Sequence, residues 1–223
     1  MERSIAMDIK NLTPMAFEYF STGKHRLEGV AAQIIYLKDY GYLDIVSTST
    51  DATSGTEEFD SAKLVLKKIP EDEPDFVKVL FNGIFYHTEE IELNNLPLIT
   101  SYAILESIRY LEFDLYHEYH DKAYAKSIYE YSKTIEKDSD ADFGYIYALG
   151  KGKSHAKLNG IDIGVYDAMF QALEKILTPT MTLIGRKSAG GIGRGLAAAG
   201  PIFSNEDATS IKNIQWDYLL TRK

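Results

Sequence analysis

The stretch LTPMAFEYFSTGKHRLEGVAAQIIYLKDYGYLDI, residues 12–45, decides the fold. Thr13 and Pro14 open a helix. Threonine is a preferred N-cap, and proline fits the first helical position, where its missing N–H costs nothing. Met15, Phe17, Tyr19 and Phe20 supply apolar surface, and Gly23 ends the helix. A second helix follows. Leu27, Val30, Ala31, Ile34 and Leu37 recur at spacings of three and four, which places them on one face. Gly41 is the expected left-handed stop, and residues 42–46 read as a strand.

Outward from this stretch the pattern changes period. Residues 47–61, STSTDATSGTEEFDS, are polar and aperiodic, a loop tip around Gly55. Residues 62–69, AKLVLKKI, form a second strand, apolar at Leu64, Leu66 and Ile69. Helix, helix, strand, long loop, strand is the order of a winged-helix module, with the loop as its wing. Residues 70–87, PEDEPDFVKVLFNGIFYH, give a helix packing back on that module, and residues 89–93, EEIEL, a short edge strand. Neither glycine nor proline occurs between Pro97 and Gly144. Leu98, Tyr102, Leu105, Ile108, Leu111 and Leu115 keep a helical rhythm there, which predicts one long helix broken near Asp121. Residues 166–177, YDAMFQALEKIL, are a further amphipathic helix, ended by Thr178-Pro179.

The expected class is therefore mainly α with a small antiparallel β component. Residues 1–95 form a winged-helix-like module and residues 96–178 a helical part. Residues 179–223 form a glycine-rich basic tail with a short terminal amphipathic segment. The chain has 223 residues, enough for one large domain or two small ones. It has no cysteine, which excludes disulfides, thiolate metal sites and a cysteine nucleophile and fits a cytoplasmic setting. Net charge is -9, and its distribution is uneven. Residues 181–223 carry +3, leaving -12 on residues 1–180. No apolar run approaches the roughly 20 residues of a membrane span, and the first residues lack the apolar core of a signal peptide.

The same residues resemble a known family. Residues 12–45, then LVLKKIPEDEPDFVKVLFNGIF (64–85), IELNNL (91–96) and DFGYIYALG (142–150), are similar to the cytoplasmic region of the domain-of-unknown-function 2207 family of predicted membrane proteins. A glycine-rich C-terminal tail is also typical of that family. The resemblance implies a cytoplasmic module, as a piece of a membrane protein or a stand-alone relative. It supplies no catalytic residues. The family's signal peptide, extracytoplasmic β-rich part and membrane helices have no counterpart in these residues.

Four stretches suggest chemistry. Gly193-x-Gly195-x-x-Ala198 satisfies the loose dinucleotide fingerprint. That fingerprint needs a strand before it and a full helix after it, and Pro201 cuts the helix short. TMTLIG, residues 180–185, is the candidate strand. Asp138, Asp140 and Asp142 alternate as in a calcium loop, but Phe143 and Leu149 stand where glycine and glutamate belong. The favoured reading is an acidic helix N-terminus. Asp114, His117, Glu118, His120 and Asp121 cluster with the wrong spacing for a zinc protease and read as a solvated helix face. His25 and His155 sit in polar, basic contexts and are expected to be exposed. No catalytic residue, cofactor or metal site is assigned.

DNA binding is the main competing use of this fold. Residues 1–70 hold eight cations and ten acids. The helix that would enter a groove carries Glu28 and Asp39, and the wing carries Asp51, Glu57, Glu58 and Asp60. Acid facing phosphate costs affinity, so a protein partner is favoured over nucleic acid. The reading is a non-enzymatic interaction or regulatory module whose partner is a protein, in a membrane-associated setting if the resemblance holds. Lys24, Arg26, Arg186, Lys187 and Arg194 are the candidate contact cations. The two alternatives are a transcription regulator and an enzyme holding an anion at the glycine stretch.

Overall fold

A computed structural model of the chain describes residues 12–47, 62–118, 122–135, 142–161 and 163–185. The expected wing and the tail beyond Gly185 lie outside the described residues.

The first helix, α1 (Pro14–Thr22), starts as its sequence dictates. Thr13 is extended and Pro14 takes the first position, although the Thr13 hydroxyl makes no capping bond. Gly23 closes α1 in the left-handed region at φ 68°, its N–H donating to the Tyr19 carbonyl. The second helix, α2 (Leu27–Asp39), is followed by Gly41 at φ 74°. Gly41 donates to the Lys38 carbonyl and Tyr42 to that of Leu37, so the last turn's carbonyls are satisfied as the chain reverses. It then enters β1 (Leu43–Ser47).

β1, β2 (Ala62–Leu66) and β3 (Glu90–Glu92) make a three-stranded antiparallel sheet in that order, with β2 central. Leu43 faces Leu66, Ile45 faces Leu64, and Leu64 faces Ile91. This register puts Leu43 and Leu64 into the core together. Between β2 and β3 lies α3 (Asp75–Ile84), buried at Phe76, Val77, Val79, Leu80, Phe81, Gly83 and Ile84. A 3-10 turn (Leu93–Asn95) leads into α4 (Leu98–Glu118).

The closest packing is that of α3 on α4, and one glycine sets it. A Cβ added at Gly83 would sit 2.0 Å from the Ala103 Cβ. Two small residues thus bring the backbones together. Thr100 donates to the Gly83 carbonyl at 2.9 Å and Ser107 to the Phe76 carbonyl at 2.7 Å. These bonds satisfy polar groups that the close approach buries.

The remaining elements are α5 (Lys122–Ser132), α6 (Phe143–Ala148), α7 (Gly152–Asn159) and α8 (Gly164–Gly185). The helix expected between Pro97 and Gly144 breaks near Asp121 as expected, α4 ending at Glu118 and α5 beginning at Lys122, but α5 stops at Ser132, short of Gly144. The cause at Ser132 is local. Its hydroxyl bonds the Tyr129 carbonyl, the Thr134 hydroxyl bonds that of Tyr131, and Lys133 N–H turns to Glu130. Side chains compete with the next turn for its acceptors, and the backbone tightens. The expected stop at Thr178-Pro179 is also corrected, because α8 runs to Gly185. Proline removes one N–H and disfavours helix in the preceding residue without forbidding it, and it kinks or ends a helix according to context. Residues 180–185 are therefore helical rather than a strand.

Beside a smaller cluster of Val79, Ile99 and Ala103, one large core joins most of these elements. It runs from Leu12 through Phe17, Ile34, Leu64, Phe81, Ile108 and Ile146 to Leu173, and so crosses residue 95 without a break. Phe17 is fully buried and meets Tyr145 edge-on at 5.1 Å.

Candidate functional site: the turn between the first two helices

Four residues, Gly23 to Arg26, join α1 to α2, and polar groups from three other places converge on them. Thr22 starts the turn. Its hydroxyl donates to the Glu18 carbonyl at 2.9 Å and accepts from the Lys24 N–H at 3.2 Å. Lys24 is exposed. His25 turns inward and is only 7 % exposed, which corrects the expectation that it faces solvent. Tyr19, one turn back on α1, explains the burial. Its ring stacks on the imidazole with centroids 4.6 Å apart and planes 17° off parallel. The His25 Nε2 lies 3.5 Å from Glu112 Oε1 on α4. Neither ring nitrogen has a hydrogen-bond partner, an arrangement that costs free energy in a buried site.

Arg26 is the hinge of the second arrangement. Its N–H donates to Glu18 Oε2 at 3.1 Å and its Nε to Oε1 at 2.9 Å. Nη2 donates to the Ala148 carbonyl, the last residue of α6, at 2.9 Å. Glu18 is 1 % exposed, so this carboxyl sits inside the protein. Burial pushes it up to about 7, against the opposing pull of the Arg26 bonds and charge. Gly29 makes the space: a Cβ there would lie 2.1 Å from Glu18 Oε2. On the outer side, Arg26 Nη1 and Glu28 Oε1 border the left-handed Gly150, at 3.4 and 3.6 Å from where its Cβ would stand.

A second polar group sits at the other end of α2. Tyr36 and Tyr42 both donate to Glu73, at 3.2 and 2.9 Å. Tyr40 stacks on Tyr36 at 4.2 Å, and the Lys68 ammonium lies 5.3 Å over the Tyr42 ring. Burial and the Glu73 carboxylate hold the Tyr36 hydroxyl far above the ordinary phenol value and push Tyr42 up to about 12. Glu73 thereby ties α2 and the start of β1 to the acidic turn before α3.

The helix that a winged-helix protein would lay in a DNA groove is enclosed. Gly29, Val30, Ala31, Ala32, Gln33, Ile34, Ile35 and Leu37 of α2 are all buried, and α1, α6 and α8 pack around them. Its remaining cation near the C-terminal end, Lys38, pairs with Asp39 at 3.2 Å.

The structure places the candidate cations unequally. Lys24 is exposed, whereas Arg26 spends its donors on Glu18 and Ala148. Arg186, Lys187 and Arg194 lie outside the described residues. The acidic helix N-terminus is described at one of its three acids: Asp142 caps α6, its side chain accepting from the Gly144 N–H at 2.9 Å. Asp138 and Asp140 lie outside the described residues, as do the side chains of His117, Glu118, His120 and Asp121. Among the described residues, no group of three or more His, Asp or Glu could hold a metal ion. No described helix is long and apolar enough to cross a membrane.

Glu18, Gly29 and Glu112 were not singled out in the sequence, and His25 was expected on the surface. Two signals were available: an acid inside the apolar run MAFEYF, and a glycine on the apolar side of α2. Each is odd alone, and they explain one another once paired. No family model, no curated protein and no solved structure matches the chain.

Proposed function

We propose that the chain is a non-enzymatic protein-interaction or regulatory module. The observation that carries this reading is the enclosure of α2. A groove-reading helix must present one face to bases, and α2 has packed helices around it and an internal acid at its start. Large apolar side chains stand exposed elsewhere: Tyr40 after α2 at 54 %, Phe113 on α4 at 61 % and Leu158 on α7 at 85 %. Exposed aromatic and aliphatic groups on an acidic body suit a protein partner better than phosphate. The resemblance to the cytoplasmic region of a family of predicted membrane proteins adds a membrane-associated setting to this reading and no activity of its own.

The nucleotide-enzyme alternative loses its structural context, because a fingerprint needs a strand where α8 continues. DNA binding is tested by fluorescence anisotropy with random-sequence duplex at low salt. No saturation is expected up to about 10⁻⁴ M, the weak end of ordinary non-specific binding. Tight binding that falls steeply with salt would overturn the reading in favour of a transcription regulator. The positive arm is cross-linking capture with single substitutions Tyr40→Ala, Phe113→Ala and Leu158→Ser. All three are expected to fold, and at least one to abolish capture.

A further inference from the structure

Tyrosines gather where α2 ends, and acids gather beside them. Tyr40 is 54 % exposed and stacks one face of its ring on Tyr36, with centroids 4.2 Å apart and planes 28° off parallel. Tyr36 and Tyr42 both donate to Glu73, in the turn between β2 and α3. We propose that this surface docks a basic segment of a protein partner, with an arginine of that segment stacked on the open face of Tyr40 and its charge offset by Glu71, Asp72 and Glu73. The proposal rests on the reading of the chain as a protein-interaction module and gives its partner a chemistry.

The charges on this surface do not balance. Lys38 pairs with Asp39, Lys67 with Asp44 and Lys78 with Asp75, so these cations are spent on other acids. A fourth, Lys68, holds its ammonium 5.3 Å over the Tyr42 ring. Glu71 and Asp72 are exposed, and among the described residues neither has a salt-bridge partner. Glu71, Asp72 and Glu73 therefore stand beside one cation, Lys68. Asp72, Glu73 and Tyr40 are neighbours in space as well: burial first, and then these groups, raise the Tyr42 hydroxyl above its ordinary value.

This arrangement selects its ligand. An exposed aromatic face attracts a cation through the ring quadrupole, and neighbouring carboxylates reinforce the attraction. Lys68 over Tyr42 is the same contact made within the chain. A guanidinium is flat and weakly hydrated, so it can lie on the Tyr40 ring and still give its N–H groups to a carboxylate. An ammonium is a compact, strongly hydrated charge and does this less well. Nucleic acid or anionic lipid would meet Glu71, Asp72 and Glu73 with like charge. Phe113 lies away from this surface. Its neighbour Glu112 meets His25 before the start of α2, whereas Tyr40 follows its end, and the 13 residues of α2 span about 20 Å.

The test uses the full chain and a fluorescein-labelled octa-arginine peptide at low salt, followed by anisotropy, with octa-lysine for comparison. Octa-arginine should bind about threefold tighter than octa-lysine. Tyr40→Ala should weaken octa-arginine binding about fivefold, Tyr40→Phe should leave it nearly unchanged, and Phe113→Ala should bind as the parent does. In ¹³C-tyrosine-labelled chain the Tyr40 ring signals should shift as peptide is added, a reading that needs no variant. The site is overturned if Tyr40→Ala binds as tightly as the parent, if the two peptides bind equally, or if the Tyr40 signals stay fixed at saturation. Tyr40 signals that move in the free chain when Arg186→Gln, Lys187→Gln and Arg194→Gln are combined would overturn the partner as occupant, since the chain's own cations would then hold the face. Loss of the site leaves the interaction-module reading to the capture experiment with Phe113→Ala and Leu158→Ser.

Discussion

A single carboxyl makes stability depend on pH at the residue scale. The ordinary value of Glu18 is 4.5 and burial raises it to about 7. A raised carboxyl stabilises the native state fully below its unfolded value, and the contribution is lost as pH rises through the folded value. The window is therefore about pH 4.5 to about pH 7, and the loss across it is about 3 kcal/mol. Urea unfolding at a series of pH values should show it. Glu18→Gln removes the titration but leaves one Arg26 donor facing an amide nitrogen. It should be about 1 kcal/mol less stable than the parent at about pH 5, with the gap closing or reversing by about pH 8. A gap independent of pH would mean that Glu18 stays ionised throughout. Gly29→Ala belongs to the same site. Its methyl would meet Glu18 Oε2 at 2.1 Å, so the carboxyl must leave its Arg26 bonds. The expected loss is about 2 kcal/mol in urea unfolding, despite the better helix propensity of alanine.

At the scale of elements, the close approach of α3 to α4 depends on a pair of small residues, Gly83 and Ala103. Gly83→Ala should destabilise by about 3 kcal/mol, because the methyl would sit 2.0 Å from Ala103 Cβ and both helices are buried there. Combining Gly83→Ala with Ala103→Gly should restore most of the loss in thermal unfolding. If it does not, the helices are not in contact at this pair. The same scale shows what the sequence could and could not disclose. α1, α2 and α3 announce themselves by period, by Pro14 and by Gly23 and Gly41, since those signals act within one or two turns. The strands follow from alternation at Leu64 and Leu66. The end of α8 does not follow, because Pro179 sets a local preference that its context outweighs. His25 was misread for a related reason. Its polar neighbours in sequence say nothing of Tyr19 stacking from the previous turn or of Glu112 arriving from α4. Long-range partners such as Glu18 with Gly29, or Thr100 with Gly83, leave only a mild oddity in sequence, an acid or a glycine among apolar residues.

For the whole molecule the question is whether residues 1–95 can stand alone as the winged-helix-like part. The pattern of elements invites a cut there, since a three-stranded sheet is complete at Glu92 and a long helix begins at Leu98. The core argues otherwise. α3 buries Val79 against Ile99 and Ala103 of α4, and Phe76 gives its carbonyl to Ser107. α1 and α2 depend on the second half too: Phe17 packs on Tyr145, Tyr145 donates to the Leu12 carbonyl at 2.6 Å, and α6 covers α2. Removing everything after residue 95 would expose these faces at about 25 cal/mol per Å² of apolar surface. It would also strand Glu18 beside an Arg26 that has lost Ala148. That loss is set against a margin of only about 5–15 kcal/mol by which ordinary domains are stable. The 1–95 fragment should therefore lack a cooperative urea transition, and residues 96–185 alone should lack one as well. Mixed in equimolar amounts, the two should regain helical circular dichroism and a single transition whose midpoint rises with concentration. Cooperative unfolding of the 1–95 fragment alone would show instead that the winged-helix-like part is an independent domain.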